Sequence, residues 1–159
     1  MKTHDLDAFD LKILDRLQAN NRTSLSEIGK AVNLSAAAVQ RRVRRMEDAK
    51  IIQANVAVVD PPAVGRPITL IVEVHLDSEQ ADILDNARNE FASVPEVQQC
   101  YYVTGAADFI LIITATSMEE YAALSHRLFL ENPNVKHFST NVAMSRVKVS
   151  LAIPVEHGG

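Results

Sequence analysis

Residues Ser24–Met46 read SLSEIGKAVNLSAAAVQRRVRRM. Two short helical patterns lie here, separated by the tight turn Asn33-Leu34. In the first, Ser24 followed by Glu27 forms a capping box: the hydroxyl accepts from an early helical amide and the carboxylate reaches back. Leu25, Ile28 and Val32 then fall on one inward face. In the second, Ser35 caps a helix running to about Ala49. At about 100° per residue, Val39, Val43 and Met46 gather into a core stripe. Ala37, Arg41 and Arg44 lie opposite, with Ala38 and Arg45 beside them and Gln40 and Arg42 on the flanks. Two helices joined by so short a turn, the second rich in arginine, describe a helix-turn-helix. Its small residues admit close approach to base edges, and its arginines suit guanine edges or phosphates. On charge alone, the same arginines also fit a solvated helix face.

Outward from this stretch the chain falls into two halves. Upstream, Leu6, Phe9 or Asp10, Ile13, Leu14 and Leu17 predict a further helix, ended by Asn20-Asn21. Downstream, Ile51 to Val59 is rich in β-branched residues and should be extended. Asp60-Pro61-Pro62-Ala63-Val64-Gly65-Arg66-Pro67 carries three prolines and a glycine, which neither a helix nor a central strand accommodates. The domain boundary belongs there: a helix-turn-helix domain over 1–51, an extended linker over 52–67 and a second domain over 68–159.

The second domain has its own order. Ile68 to Leu76 alternates as a strand. Asp77 or Ser78 is expected to cap a helix carrying Ile83, Leu84, Ala87, Phe91 and Val94, stopped by Pro95. Val97 to Val103 is a second strand, and Gly105-Ala106-Ala107-Asp108 turns into a third, Phe109 to Ala115. Ser117 and Glu120 suggest another capping box, opening a helix that Asn132-Pro133-Asn134 ends. A long final strand is expected from Val135. Phe138, Thr140, Val142 and Met144 share one parity and Val147, Val149, Leu151 and Ile153 the other, so a bulge near Ser145-Arg146 is expected to reconcile them. The order βαβ then βαβ predicts an α+β ferredoxin-like sandwich behind a three-helix domain. The strand Phe109 to Ala115 is apolar on both faces, and Ile71 adds to the side without helices. That side needs cover, and a second copy of the chain is the simplest source.

Composition bounds the function. The 159 residues are 47% hydrophobic, 23% charged and 5% aromatic, values of an ordinary soluble globular chain. The net charge of −4 divides unevenly. Residues 1–60 hold ten Lys/Arg and eight Asp/Glu, giving +2, and residues 61–159 hold six and twelve, giving −6. A basic contact surface attached to an acidic partner domain fits this asymmetry. The single cysteine, Cys100, excludes an internal disulfide framework and reads as a packed residue on a strand. MKTHDLDAFD is acidic and lacks an apolar core, so no secretory signal is read there. A cytoplasmic location and no membrane span are expected. His4, His75, His126, His137 and His157 show no metal-ligand spacing, although Glu73 and His75 share a sheet face and could titrate at a dimer interface. No phosphate loop, nucleophile elbow or catalytic carboxylate pair is present, so no enzyme, cofactor or metal is expected.

The chain resembles the Lrp/AsnC "feast/famine" transcription factors. The resemblance runs through Leu6-Asp7, Asp10, Ile13-Leu14, Leu17-Gln18, Arg22, Val32, Leu34-Ser35, Val39, Arg42-Val43, Arg45 and Glu47. It continues through Ile52, Asp60-Pro61, Gly65, Val97, Cys100, Val103-Thr104-Gly105, Asp108 and Val147-Lys148. It implies a DNA-binding regulator whose base-contacting surface is Ser35, Ala37, Ala38, Arg41, Arg44 and Arg45. Gln40 and Arg42 flank that surface on the helical projection, and Arg42 either anchors helices or phosphate or reads bases. It also implies a homodimer on pseudo-palindromic double-stranded DNA, further assembly such as an octamer, and an amino acid or related small molecule bound between sensing domains. The implied effector site is Thr104, Gly105, Ala106, Ala107 and Asp108. Here the family's Gly-Asp-aromatic-Asp turn keeps only Gly105 and Asp108. Backbone amides of residues 105–107 would meet a carboxylate and Asp108 an ammonium; a plain turn with Asp108 bonding its own backbone is the alternative. The rival functional reading is a small-molecule-binding oligomer with weak or lost DNA binding.

Overall fold

The computed structural model describes residues 6–78 and 80–155. His4 and His157 lie outside the described residues. The chain divides into two compact units, with breaks between Ala57 and Val58 and between Val147 and Lys148.

The first unit holds α1 (Ala8–Ala19), α2 (Leu25–Val32) and α3 (Ala36–Asp48). Each begins at a side-chain cap that satisfies amides the helix itself cannot. Asp7 accepts from the amides of Phe9 and Asp10, and Ser24 from that of Glu27. Ser35 accepts from the amide of Ala38. Asn33 stops α2 in the left-handed conformation, φ 59°, which asparagine tolerates. Ile13, Ile28, Val32, Val39 and Met46 form the buried centre, with Leu6, Leu14, Leu17, Leu25, Leu34 and Val43 packed against it. Asp10, one of the two candidates for the inward position in the first helical turn, is fully buried, whereas Phe9 is 40% exposed.

The second unit is a four-stranded antiparallel sheet in the order β2-β3-β1-β4, with β1 Ile68–Leu76, β2 Val97–Tyr102, β3 Phe109–Ala115 and β4 Val135–Val142. α4 (Ala81–Ser93) and α5 (Met118–Ser125), the latter continuing as a π-turn over His126–Leu130, supply the crossovers. The unit is a ferredoxin-like sandwich. Its core joins Leu70, Val72 and Val74 of β1 and Phe109, Leu111 and Ile113 of β3 to Phe91, Leu124, Leu128 and Phe129. Phe91 meets Phe109 and Phe129 edge-on. The opposite sheet face carries Ile71, Tyr101, Ile110 and Ile112 in half-buried or exposed positions.

Four expectations are corrected. The last strand stops at Val142 instead of running on, because β1 begins at Ile68 and the amide of Ala143 on Thr69 O is the final ladder bond. Beyond Val147 the chain returns to the first unit, where Gln18 Nε2 donates to Ile153 O and Ile153 N donates to Gln18 Oε1, at 2.9 and 2.7 Å. The irregularity in the β1–β4 ladder falls at His75/Leu76, not near Ser145-Arg146. α4 is preceded by Gln80, which makes no side-chain cap, so neither Asp77 nor Ser78 caps it. The Ser117–Glu120 box is half-formed: Ser117 caps Glu120 N, but the Glu120 carboxylate turns to Thr116 N and Oγ1.

Candidate nucleic-acid interface and effector loop

The face of α3 is set by its packing. Val39 and Met46 are fully buried and turn the opposite side outward. Ala37, Gln40, Arg41 and Arg44 follow at i, i+3, i+4 and i+7, and all four are exposed. Ser35 is exposed at the amino end of the helix, and Ala38 is half-buried. Among the described residues, neither Arg41 nor Arg44 takes part in an ion pair. Gln40, placed on the flank by the sequence projection, therefore belongs to the outward stripe.

Arg42 and Arg45 point elsewhere. Arg42 Nη1 donates to Asp7 Oδ2 at 2.7 Å and to Asp10 Oδ1 at 2.9 Å, and its guanidinium lies 5.5 Å from the Phe9 ring centre. Arg45 Nη2 donates to Asp10 Oδ2. The two carboxylates hold the Arg42 guanidinium more firmly protonated than usual, chiefly through the hydrogen bond to Asp10. Asp7 sits below the ordinary carboxylate range, first because the Asp10 amide donates to it. Gly29 is the packing residue that the sequence reading passed over. A Cβ there would stand 2.5 Å from Leu34 O, so α2 meets the turn before α3 at backbone contact. Only the glycine itself, in mid-helix where it is disfavoured, signals this.

In the second unit, Gly105 takes φ 133° in the turn between β2 and β3, a backbone shape that favours glycine. The amide of Val103 on Asp108 O closes the loop. Thr104, Gly105 and Ala106 are exposed, whereas Ala107 is buried and its side chain does not line an open surface. Asp108 N donates to Val74 O, and Asp108 Oδ2 accepts from Leu76 N at 2.7 Å. The carboxylate thus extends the ladder past Phe109 and leaves Oδ1 as its second acceptor. Among the described residues the amides of Gly105, Ala106 and Ala107 find no acceptor.

The other candidates are structural in placement. His75 and His137 stack across the β1–β4 ladder, ring centres 3.8 Å apart. Burial pushes the Cys100 thiol up, away from the reactive thiolate. Among the described residues no group of His, Cys, Asp and Glu could hold a metal, and no helix is long and apolar enough to cross a membrane.

Residues 6–47 match the AsnC-type helix-turn-helix domain, and residues 69–153 match the Lrp/AsnC ligand binding domain. The chain belongs to the Lrp/AsnC family. An uncharacterised HTH-type transcriptional regulator of Sinorhizobium fredii is 47% identical over 96% of this chain and 90% of its own length. The leucine-responsive regulatory protein of Escherichia coli K12 is 32% identical over 96% and 93%. A transcriptional regulator of Neisseria meningitidis, solved as an L-Met complex, superposes with a TM-score of 0.87 at 26% identity, covering 96% and 98% of the two chains. As an Lrp/AsnC protein the chain is a transcriptional regulator with a DNA-binding helix-turn-helix and a ligand-binding domain.

Proposed function

We propose that this Lrp/AsnC regulator reads duplex DNA with the exposed stripe Ala37, Gln40, Arg41 and Arg44, with Ser35 and Ala38 at the helix entrance and Arg45 beside it, while Arg42 is held by Asp7 and Asp10. The single observation that carries this reading is the pair of exposed arginines without partners among the described residues, on a helix whose other face is locked into the core. Functional labour divides as 1–51 for DNA, 52–67 as linker and 68–159 for effector and assembly. Arg41→Ala lowers affinity for a selected duplex by roughly 1–3 kcal/mol, the worth of a base-reading arginine. The test is selection of fragments from genomic DNA at physiological salt, followed by titration of the variant. No enriched palindrome, or unchanged affinity on losing Arg41, overturns the reading and favours a small-molecule-binding oligomer.

The effector is an amino acid held at the Thr104–Asp108 loop, its carboxylate on the free amides of residues 105–107 and its ammonium on Asp108 Oδ1. The L-Met complex of the Neisseria protein and the leucine response named for the Escherichia protein support that class. A panel of common amino acids, each at about a hundred times its dissociation constant, should reveal one that stabilises the protein by about 2.7 kcal/mol. No shift with any of them overturns the assignment. The exposed apolar sheet face supports a homodimer, with assembly to an octamer as the family pattern. The reading calls for no cofactor and no catalytic group, and it places the protein in the cytoplasm with its DNA.

A further inference from the structure

The capping box of α1 does more than start a helix. Asp7 Oδ1 takes the amides of Phe9 and Asp10, and Asp10 Oδ2 takes the amide of Asp7. The oxygens left over reach across to α3. One Arg42 nitrogen bridges Asp7 Oδ2 and Asp10 Oδ1, and Arg45 Nη2 meets Asp10 Oδ2. The two arginines differ in what remains free. Arg42 is spent between two carboxylates and the Phe9 ring, with 21% of its side chain exposed. Arg45 likewise uses one nitrogen among the described residues, but it keeps 55% of its side chain in solvent, while Asp10 has none. A guanidinium is a rigid fork with five N–H groups, so holding one corner on a buried carboxylate fixes the direction of the others.

We propose that Asp10 is a positioning residue that sets Arg45 as a ready phosphate clamp on the duplex backbone, and that Arg42 is a strut between α1 and α3 rather than a nucleic-acid contact. The proposal rests on the DNA-reading assignment of α3. Arg45 lies on the side of α3 nearest α1, beside the outward stripe, where a backbone phosphate would flank bases read by Arg41 and Arg44. Having lost its rotamer freedom to Asp10 beforehand, it gives up less on binding. Such a contact anchors without reading sequence.

The experiment is fluorescence anisotropy across a salt series, using the full chain on a duplex it has selected and on a shuffled duplex of the same composition. Each phosphate contact adds about 0.9 to the slope of log affinity against log salt. Arg45→Ala should lower that slope by about 0.9 on both duplexes. Arg45→Lys should keep the slope and lose severalfold in affinity, because the charge survives without the fork. Asp10→Asn should resemble Arg45→Lys, and Arg42→Ala should leave the slope untouched. If Asp10→Asn or Arg42→Ala fails to fold, the two variants of the solvent-facing Arg45 still decide. An unaltered slope for Arg45→Ala, or a drop for Arg42→Ala as large as the one expected there, overturns the proposal. Loss of binding in Arg41→Ala beside an indifferent Arg45→Ala overturns the clamp alone; indifference in both overturns the DNA reading as well.

Discussion

A carboxylate with no exposed surface must be compensated in full, and Asp10 is compensated by two guanidinium groups and one amide. Removing one partner from such a group leaves the rest uncompensated. Asp10→Ala instead removes the buried charge, loses its hydrogen bonds to Arg42, Arg45 and the Asp7 amide, and leaves guanidinium groups that water can reach; it is expected to cost about 1.5–3 kcal/mol, read as a lower midpoint in urea denaturation. Gly29 is the other residue on which the first unit turns. Gly29→Ala drives a methyl group into the carbonyl of Leu34, and overpacking of this kind costs about 1–3 kcal/mol. A falling thermal midpoint, although alanine is the better helix former, would identify the steric cause. Neither residue announces itself locally. Helical spacing allowed Phe9 or Asp10 at the inward position, and the arginines that settle the choice lie 32 and 35 residues further on. Asp108 was only half legible: the plain-turn reading had it bonding its own local backbone, whereas its Oδ2 accepts from Leu76 N, 32 residues away on β1.

At the scale of the element, the helix starts carry charge. Asp7, Glu27 and Glu120 all sit below the ordinary carboxylate range. The first cause is an amide donor for Asp7 (from Asp10) and Glu120 (from Thr116), and the Ser24 hydroxyl for Glu27. A carboxylate whose folded value is depressed stabilises the protein fully above its unfolded value, and that stability is lost as pH falls through the folded one. Denaturation midpoints should accordingly agree at pH 7 and above about 5, then decline below about 4. A midpoint that holds constant down to about pH 3 would contradict the role of these caps. Elements bounded by their own chemistry were readable: β1 spans the residues its alternation predicts, β3 the apolar run after the Gly105–Asp108 turn, and α2 and α3 follow their serine caps. The final strand was overextended because alternation shows which way side chains point, not whether a neighbouring strand remains to pair with. Val147, Val149, Leu151 and Ile153 keep the strand rhythm, but β1 has already ended.

For the whole molecule, the proposed homodimer rests on one apolar surface. Ile71 and Tyr101 stand exposed on the side of the sheet without helices, with Ile110 and Ile112 half-buried between them. A charge there would oppose a partner while leaving the core behind the sheet intact. Ile112→Glu is expected to convert the proposed dimer to monomer in sedimentation-velocity runs with its circular dichroism unchanged; a parent that already sediments as a monomer, or a variant that sediments like a dimeric parent, would remove this face as the interface. The acidic second unit and the arginine-bearing α3 fit a regulator in which only one small surface attracts DNA.

The return of residues 148–155 to the first unit bears on the order in which the molecule comes together. The ninety residues between Ala57 and Lys148 form a loop whose closure from an unfolded chain costs roughly 4 kcal/mol in entropy. Once β1 and β4 have zipped together, with Leu70 opposite Val142, most of that distance has already been spanned. Seating of the tail against Gln18 is thus expected to follow formation of the sheet, and stopped-flow folding in which protection of the Ile153 amide precedes that of the β1–β4 ladder would contradict this order.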